Sequence, residues 1–407
     1  MELFRSLKHR AFAFLWSGQT ISRLGDSLYR IALAWWVLEK TGSATAMGTV
    51  LIFSFAPMLV FLLVGGVAVD RLPRGRVMLA SDVLRGALVA AVAALAFAQS
   101  LEIWHIYIAS IVFGFVDAFF QPAYTAIVPE IVPTDSLPSA NSLTSLSAQI
   151  TGIVGPALGA LIVAQGGTST AFALDSASFF VSAVCLIPLF SARADAPGNA
   201  PGTAPAASAL RDFRAGVAVV FASPWLWITI SVFALSNITL SGPTSVALPF
   251  LVKDTLHADV NALGWLYSMT ALGSILGAVW LGRFKKIRRR GLVAYGATIV
   301  GGVMVLAYGL PISIIGVSIA ALVLGGSIAF FSLIWTNTLQ ELVPREMLGR
   351  VSSIDMLGSF VLLPIGFGIT GWATDQLGAA TVFVIGGAFS ALLAALALLH
   401  PAIRGLD

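Results

Sequence analysis

The stretch Pro129-Glu-Ile-Val-Pro133-Thr-Asp135-Ser-Leu137 returns 211 residues later as Gln340-Glu-Leu-Val-Pro344-Arg-Glu346-Met-Leu348. The same offset sets Gly155 over Gly366 and Asp26 over Asn237. Close to that offset, the basic segment Asp70-Arg-Leu-Pro-Arg-Gly-Arg76 meets Gly282-Arg-Phe-Lys-Lys-Ile-Arg288 within a residue or so. Each copy carries several long apolar runs. The chain is therefore read as one membrane bundle written twice.

Composition agrees. Of 407 residues 58% are hydrophobic and only 10% charged, against about a quarter charged in an average soluble chain. The single Cys185 lies in an apolar stretch, so neither a disulfide framework nor a thiolate cluster is available. His9, His105, His257 and His400 lie far apart near span ends, which argues against a zinc site. No metal, cofactor or nucleic-acid partner is expected. Met1 to Arg10 leads straight into a full-length span without a small-residue cleavage site, so no cleavable signal is expected.

A spanning helix needs about 20 mostly apolar residues. Twelve such spans are read, at 11–38, 44–69, 77–98, 105–128, 141–166, 169–190, 225–252, 262–282, 291–310, 314–339, 349–373 and 379–399. The expected fold is an all-α polytopic membrane protein: twelve transmembrane helices in two pseudo-symmetric six-helix bundles. The bundles are placed at 1–190 and 224–407. Between them, 191–223 begins as a low-complexity linker rich in Ala, Pro and Gly. Its second part, Leu210 to Phe221, reads either as an amphipathic helix on the inner leaflet or as a passive tether. Two similar halves related in parallel suggest a carrier with its binding site between them.

With the N-terminus set in the cytoplasm, eighteen of the 23 Lys and Arg residues fall inside. Two, Lys40 and Lys253, fall outside, and Arg23, Arg30 and Arg85 lie within spans. That bias places both termini in the cytoplasm. The expected location is the cytoplasmic (inner) membrane of a bacterium, as a multi-pass monomer in contact with membrane lipids.

Twelve spans, a long central loop and a short basic loop after span 2 resemble the major facilitator superfamily. The specific motif is Gly66-Val-Ala-Val-Asp70-Arg71-Leu-Pro-Arg74-Gly-Arg76, similar to the signature loop of that family. Gly66, Asp70, Arg71 and Arg74 match, while Pro73 stands where the family usually has Gly. The resemblance implies a gate in which Asp70 meets the N-terminal end of span 11, whose dipole favours an anion. For Arg76, the positive-inside rule is explanation enough. Span 5 carries Gly152-Ile-Val-Gly155-Pro156-Ala-Leu-Gly159, similar to the Gly-Pro motif of the family's antiporters. Thr151 and Ala160 depart from that pattern, and close helix packing is an alternative account of the glycines. A further departure lies in span 4, where drug antiporters of the family carry an Arg four residues before a Gly. Here Ser110 precedes Gly114 at that spacing. Together with Ser22-Arg-Leu-Gly25-Asp26, the chain resembles the branch of macrolide-efflux and siderophore-export proteins.

Ionisable groups at membrane depth cost about 2.5–3.5 kcal/mol or more and are functional candidates by default. Span 1 holds Gln19, Arg23, Asp26 and Arg30 on one helical stripe. Span 4 places Asp117 near mid-depth. If the family fold holds, Asp117 faces Asp26 and its arginines, and Asp26, Asp117, Arg23 and Arg30 form a proton-coupling group with Asp117 as carrier. The alternative is a static cluster of ion pairs. Asp82 and Arg85, three apart, read as a local pair near the inner end of span 3, and Asp175 as peripheral. Glu130 and Glu341 read as loop-closing or helix-capping residues rather than proton sites. The C-terminal half reads as uncharged at mid-depth. Substrate contacts are expected from Gln19, Phe120, Tyr124, Asn237, Trp335 and Asn337.

The function these readings imply is secondary active, proton-coupled export of amphipathic small molecules by alternating access, of the multidrug type. The alternatives are a dedicated exporter of an endogenous metabolite, such as a siderophore or lipid-like compound, and a non-transporting sensor. No nucleophile–base pair and no phosphate-binding Gly-Lys-Ser/Thr loop is present, which argues against an enzyme and an ATP-driven pump.

Overall fold

The computed structural model describes residues 2–192, 206–284 and 287–407, excluding the side chains of residues 2, 62–68, 70–71, 190–192 and 206–213. Apolar runs of membrane length can hydrogen-bond their backbones only internally, so they fold as helices. Spans 1 to 4 are Arg10–Thr41, Ala44–Arg71, Arg74–Phe97 and Ile103–Ile131. The helical run Leu137–Ala192 is broken at Gly167 into spans 5 (137–166) and 6 (168–192). Span 7 runs from Pro224–Gly242 through two wide π-helical segments, Pro243–Ala247 and Leu251–Thr255. Spans 8, 9 and 10 are Val260–Leu281, Arg290–Tyr308 and Ile314–Leu342. Span 11 joins Arg345–Phe360 to Leu363–Leu377, and span 12 is Ala379–Ala397. Ten helical stretches among the described residues are long and apolar enough to cross a membrane. One of them, Thr134–Leu189, holds two spans, and span 1 completes the twelve.

Two compact units emerge, Met1–Pro201 with Asp259–Ser268, and Gly202–Ala258 with Met269–Asp407. The two repeat several of each other's internal contacts. The reversal between spans 5 and 6 is made at Gly167 (φ 76°, ψ 169°) and that between spans 11 and 12 at Gly378 (φ 80°, ψ 151°). Both angles favour a residue without a Cβ, and the two glycines are 211 positions apart. Gly155 approaches Ser27 of span 1 as Gly366 approaches Ile238 of span 7. Gly114 presses on the Ser54 carbonyl, and Gly325 on that of Thr270. Ser54 and Thr270 are 216 apart rather than 211, as are Arg74 and Arg290, the first residues of spans 3 and 9. The register of the repeat thus slips by five in spans 2 and 3 and recovers in span 4. The basic segments, aligned above near 211, follow the slipped register.

The linker's second part is a helix, Ala206–Ala222. Its described half packs on protein: Val220 is buried with Leu226, Leu339 and Val351, and Gly216 sits against Arg350 and Ile354.

Without a hydrophobic driving force between helices in lipid, close backbone approach at small residues supplies much of the cohesion. A Cβ at Gly114 would lie 1.9 Å from the Ser54 carbonyl oxygen, and one at Gly325 1.8 Å from that of Thr270. Backbone cannot step aside cheaply. Gly114→Ala and Gly325→Ala are each expected to destabilise by about 1–3 kcal/mol, the usual cost of overpacking. Gly296→Ala, with nothing within 4 Å of its Cβ, is the neutral control. Thermal unfolding of the three purified variants reads the difference.

Candidate functional site

The first unit gathers its membrane-depth charges around Arg85. Span 3 begins at Arg74, three residues before the boundary read from sequence, which sets Arg85 at the middle of the span. Its Nη2 lies 2.6 Å from Asp82 Oδ1 and its Nη1 3.1 Å from Asp117 Oδ1. The guanidinium centre sits 4.0 Å from the Phe120 ring centroid and 4.7 Å from that of Phe179. Two carboxylates and two aromatic faces therefore enclose one cation, an arrangement for which a planar guanidinium is suited. Asp82 is fully buried and also accepts a hydrogen bond from Ser182 Oγ at 2.7 Å. Gln19 Nε2 donates to Ser182 Oγ at 2.9 Å and lies 3.5 Å from Asp82 Oδ2. Asp117 differs: 30% of its side chain is accessible, and Arg85 is its hydrogen-bonding partner.

The expected stripe on span 1 is not one group. Gln19 turns into the buried network, and Arg23 donates to the Thr144 carbonyl at 3.3 Å while lying 5.3 Å over Tyr124. Asp26 is half-buried, and the cations acting on it are Arg85 first, then Arg30 and Arg23. Arg30 is exposed and donates to Ser27 Oγ at 3.2 Å. Asp117 thus meets Arg85 of span 3, not a cation of span 1. The pairing of Asp82 with Arg85 is present, but it is part of a network across spans 1, 3, 4 and 6 and not merely local. Asp175, read as peripheral, is fully buried against Gly25 of span 1. The glycine there, with Ser178 beside it, lets span 6 close on span 1. Phe120 and Tyr124 stack on each other at 6.2 Å and are buried beneath the two arginines, so they carry the cluster and do not face open space.

The second unit holds a cavity of about 450 Å³ between spans 7, 9, 10 and 11. Asn237 and Trp335 line it, as do Phe233 and Phe331, stacked at 3.7 Å. Asn237, the counterpart of Asp26, donates to the Ser359 carbonyl at 2.8 Å and accepts from Ser241 Oγ at 3.3 Å. Asn337 is exposed and absent from the lining, where its neighbour Thr336 takes part. Asp355 of span 11, which the sequence reading did not single out, also faces this cavity and accepts from Trp335 Nε1 at 2.9 Å.

The start of span 3 is clamped to the end of span 4 as the start of span 9 is to the end of span 10. Arg74 pairs with Glu130 and donates to the Ala126 carbonyl at 3.1 Å; Arg290 pairs with Glu341 at 2.5 Å. The other signature-loop residues, Gly66, Asp70 and Arg71, lie outside the residues described at side-chain level. In span 5, Gly155 and Gly159 face Ser27 and Leu28 of span 1, while Gly152 and Pro156 lie within the same helix.

Comparison with known proteins fits this architecture. The chain is 25% identical to macrolide efflux protein A of Streptococcus pyogenes over the full length of both. It is 27% identical to the enterobactin exporter EntS of Shigella boydii serotype 18, covering 93% of this chain and 90% of that one. Among solved structures, a bacterial homologue of the iron transporter ferroportin in its inward-facing state superposes with a TM-score of 0.73 at 15% identity, over 95% and 98% of the two chains. A POT family transporter bound to 5-aminolevulinic acid gives 0.75 at 14% identity over 96% of each chain. The family model described as Major Facilitator Superfamily matches residues 15–366 and again 244–404, and the chain belongs to that superfamily of membrane transporters.

Proposed function

We propose that this protein exports amphipathic small molecules across a bacterial cytoplasmic membrane, driven by proton influx, as a monomer with both termini in the cytoplasm. The observation that carries the reading is the sharing of Arg85 between Asp82 and Asp117. With both acids ionised, the trio holds one negative charge in surplus, and an uncompensated buried charge is costly. One proton removes the surplus. Asp117, the more accessible acid, is the group that takes it up, and Asp82 is the fixed countercharge. A helix movement that separates Arg85 from Asp117 changes the hold of Asp117 on its proton, and this links proton binding to conformation. Asp26, Arg23 and Arg30 adjust the field around the pair. The Gly155 and Gly159 contacts, with Pro156 between them, make span 5 the element that shifts on span 1. The loop from Gly66 to Arg74 gates the inner end.

Similarity to a macrolide efflux protein and to an enterobactin exporter supports export. The apolar, hydroxyl-studded cavity beside Asn237 and Trp335 supports a bulky amphipathic cargo. The second of these relatives also favours another reading, a dedicated exporter of one metabolite. Purified protein in liposomes tests both. A one-unit pH gradient supplies ~1.4 kcal/mol per proton, so one proton per neutral cargo concentrates it about tenfold. Mutual competition among unrelated compounds marks the multidrug type; a single accepted compound marks the dedicated one. No accumulation of any cargo in a broad panel overturns both.

A further inference from the structure

The cavity of the second unit contains a charge that the proton-coupling cluster does not use. Asp355 is the only ionisable side chain among the described residues that line it. Among the described residues no Lys or Arg forms an ion pair with it. Its partners are neutral donors, the Trp335 indole at 2.9 Å and the Ser359 hydroxyl. Neutral donors orient a carboxylate without cancelling its charge. An acid at membrane depth without a countercharge is a functional candidate, and here the open side is a cavity of about 450 Å³, in the range that holds a drug-sized ligand. The walls beside it are aromatic. Phe331 stacks between Phe233 at 3.7 Å and Trp335 at 6.1 Å, and aromatic faces attract cations.

We propose that this cavity recognises the cationic group of an amphipathic cargo, a protonated amine or quaternary centre, with Asp355 as its countercharge and Phe331 and Trp335 as its aromatic wall. Leu324, Ile328 and Val305 receive the apolar body. This deepens the export reading and rests on it in treating the ligand as cargo.

The test uses equilibrium binding by calorimetry to the purified full-length chain, with tetraphenylphosphonium and tetraphenylborate as probes of one size and opposite charge. The wild type is expected to prefer the cation by at least about tenfold, equivalent to ~1.4 kcal/mol. Asp355→Asn, which keeps an acceptor for Trp335, is expected to bring that ratio below about threefold, and Asp355→Glu to retain most of it. Glu346→Gln removes an equal charge from an exposed site on the same span and leaves the ratio unchanged. No cation preference in the wild type, or a preference that survives Asp355→Asn, overturns the proposal. Should Asp355→Asn fail to fold, Trp335→Leu serves instead: a cation affinity within twofold of wild type counts against the site. Transport in liposomes separates this inference from the broader one. Charge-selective binding without proton-driven accumulation keeps the recognition site and removes export; accumulation without charge selectivity does the reverse.

Discussion

Arg85→Gln is expected to give the largest loss of stability of any single charge change in the first unit. Asp82 is fully exposed to that loss, because it is itself completely buried and its ion pair at 2.6 Å disappears. Removing one member of a buried pair costs about 3–5 kcal/mol, since the other is left charged in a medium that cannot solvate it. Ser182 and Gln19 remain as donors to Asp82, but neither carries charge. The double variant Asp82→Asn/Arg85→Gln is expected to recover most of the lost stability, because the two amides can hydrogen-bond to each other and to Ser182. Thermal unfolding of the two single variants, the double variant and the wild type closes the cycle. A coupling energy near zero would show that the pair is not the unit described here. Arg85→Lys is no conservative control: an ammonium cannot serve two carboxylates in a plane and lie flat against Phe120 and Phe179 at once.

Asp117→Asn is expected to act on coupling and not on folding. Asp117 is partly accessible and keeps a hydrogen bond to Arg85 as an amide. The trio then has one fixed positive and one fixed negative charge, and no proton is needed to balance it. Under a one-unit pH gradient, accumulation is expected to fall from about tenfold to about one, while exchange of cargo at equal pH continues. Accumulation that persists at the wild-type level removes Asp117 from the mechanism. Loss of exchange as well as accumulation assigns Asp117 to the conformational change itself.

The order of helices was legible because hydropathy and length fix spans almost independently of what they pack against. Asp26 and Asn237 match in the repeat because their neighbours Ser27 and Ile238 keep the 211-residue register against Gly155 and Gly366. Rotation and depth were not legible. Arg85 lay three residues deeper than it was read, because the helix starts at Arg74 instead of at Val77. Its partner Asp117 belongs to a different span, and no periodicity within one helix reports on a neighbour. Asp355 was hidden for the same reason. Asp175 was misplaced because the signal that reveals it, Gly25 facing Ser178, is a contact between spans 1 and 6.

Asp26 and Asn237 occupy matching positions in duplicated bundles, yet one is an acid among arginines and the other an amide tied to the Ser359 backbone. The two copies of the repeat thus differ in the chemistry they carry at one matched position. If the proposed function holds, changes beside Asn237 alter which molecules the chamber admits while the Arg85 cluster of the other copy stays as it is. On that proposal, a new cargo is reached through a few changes on spans 7, 10 and 11, with the ion pairs around Arg85 left untouched.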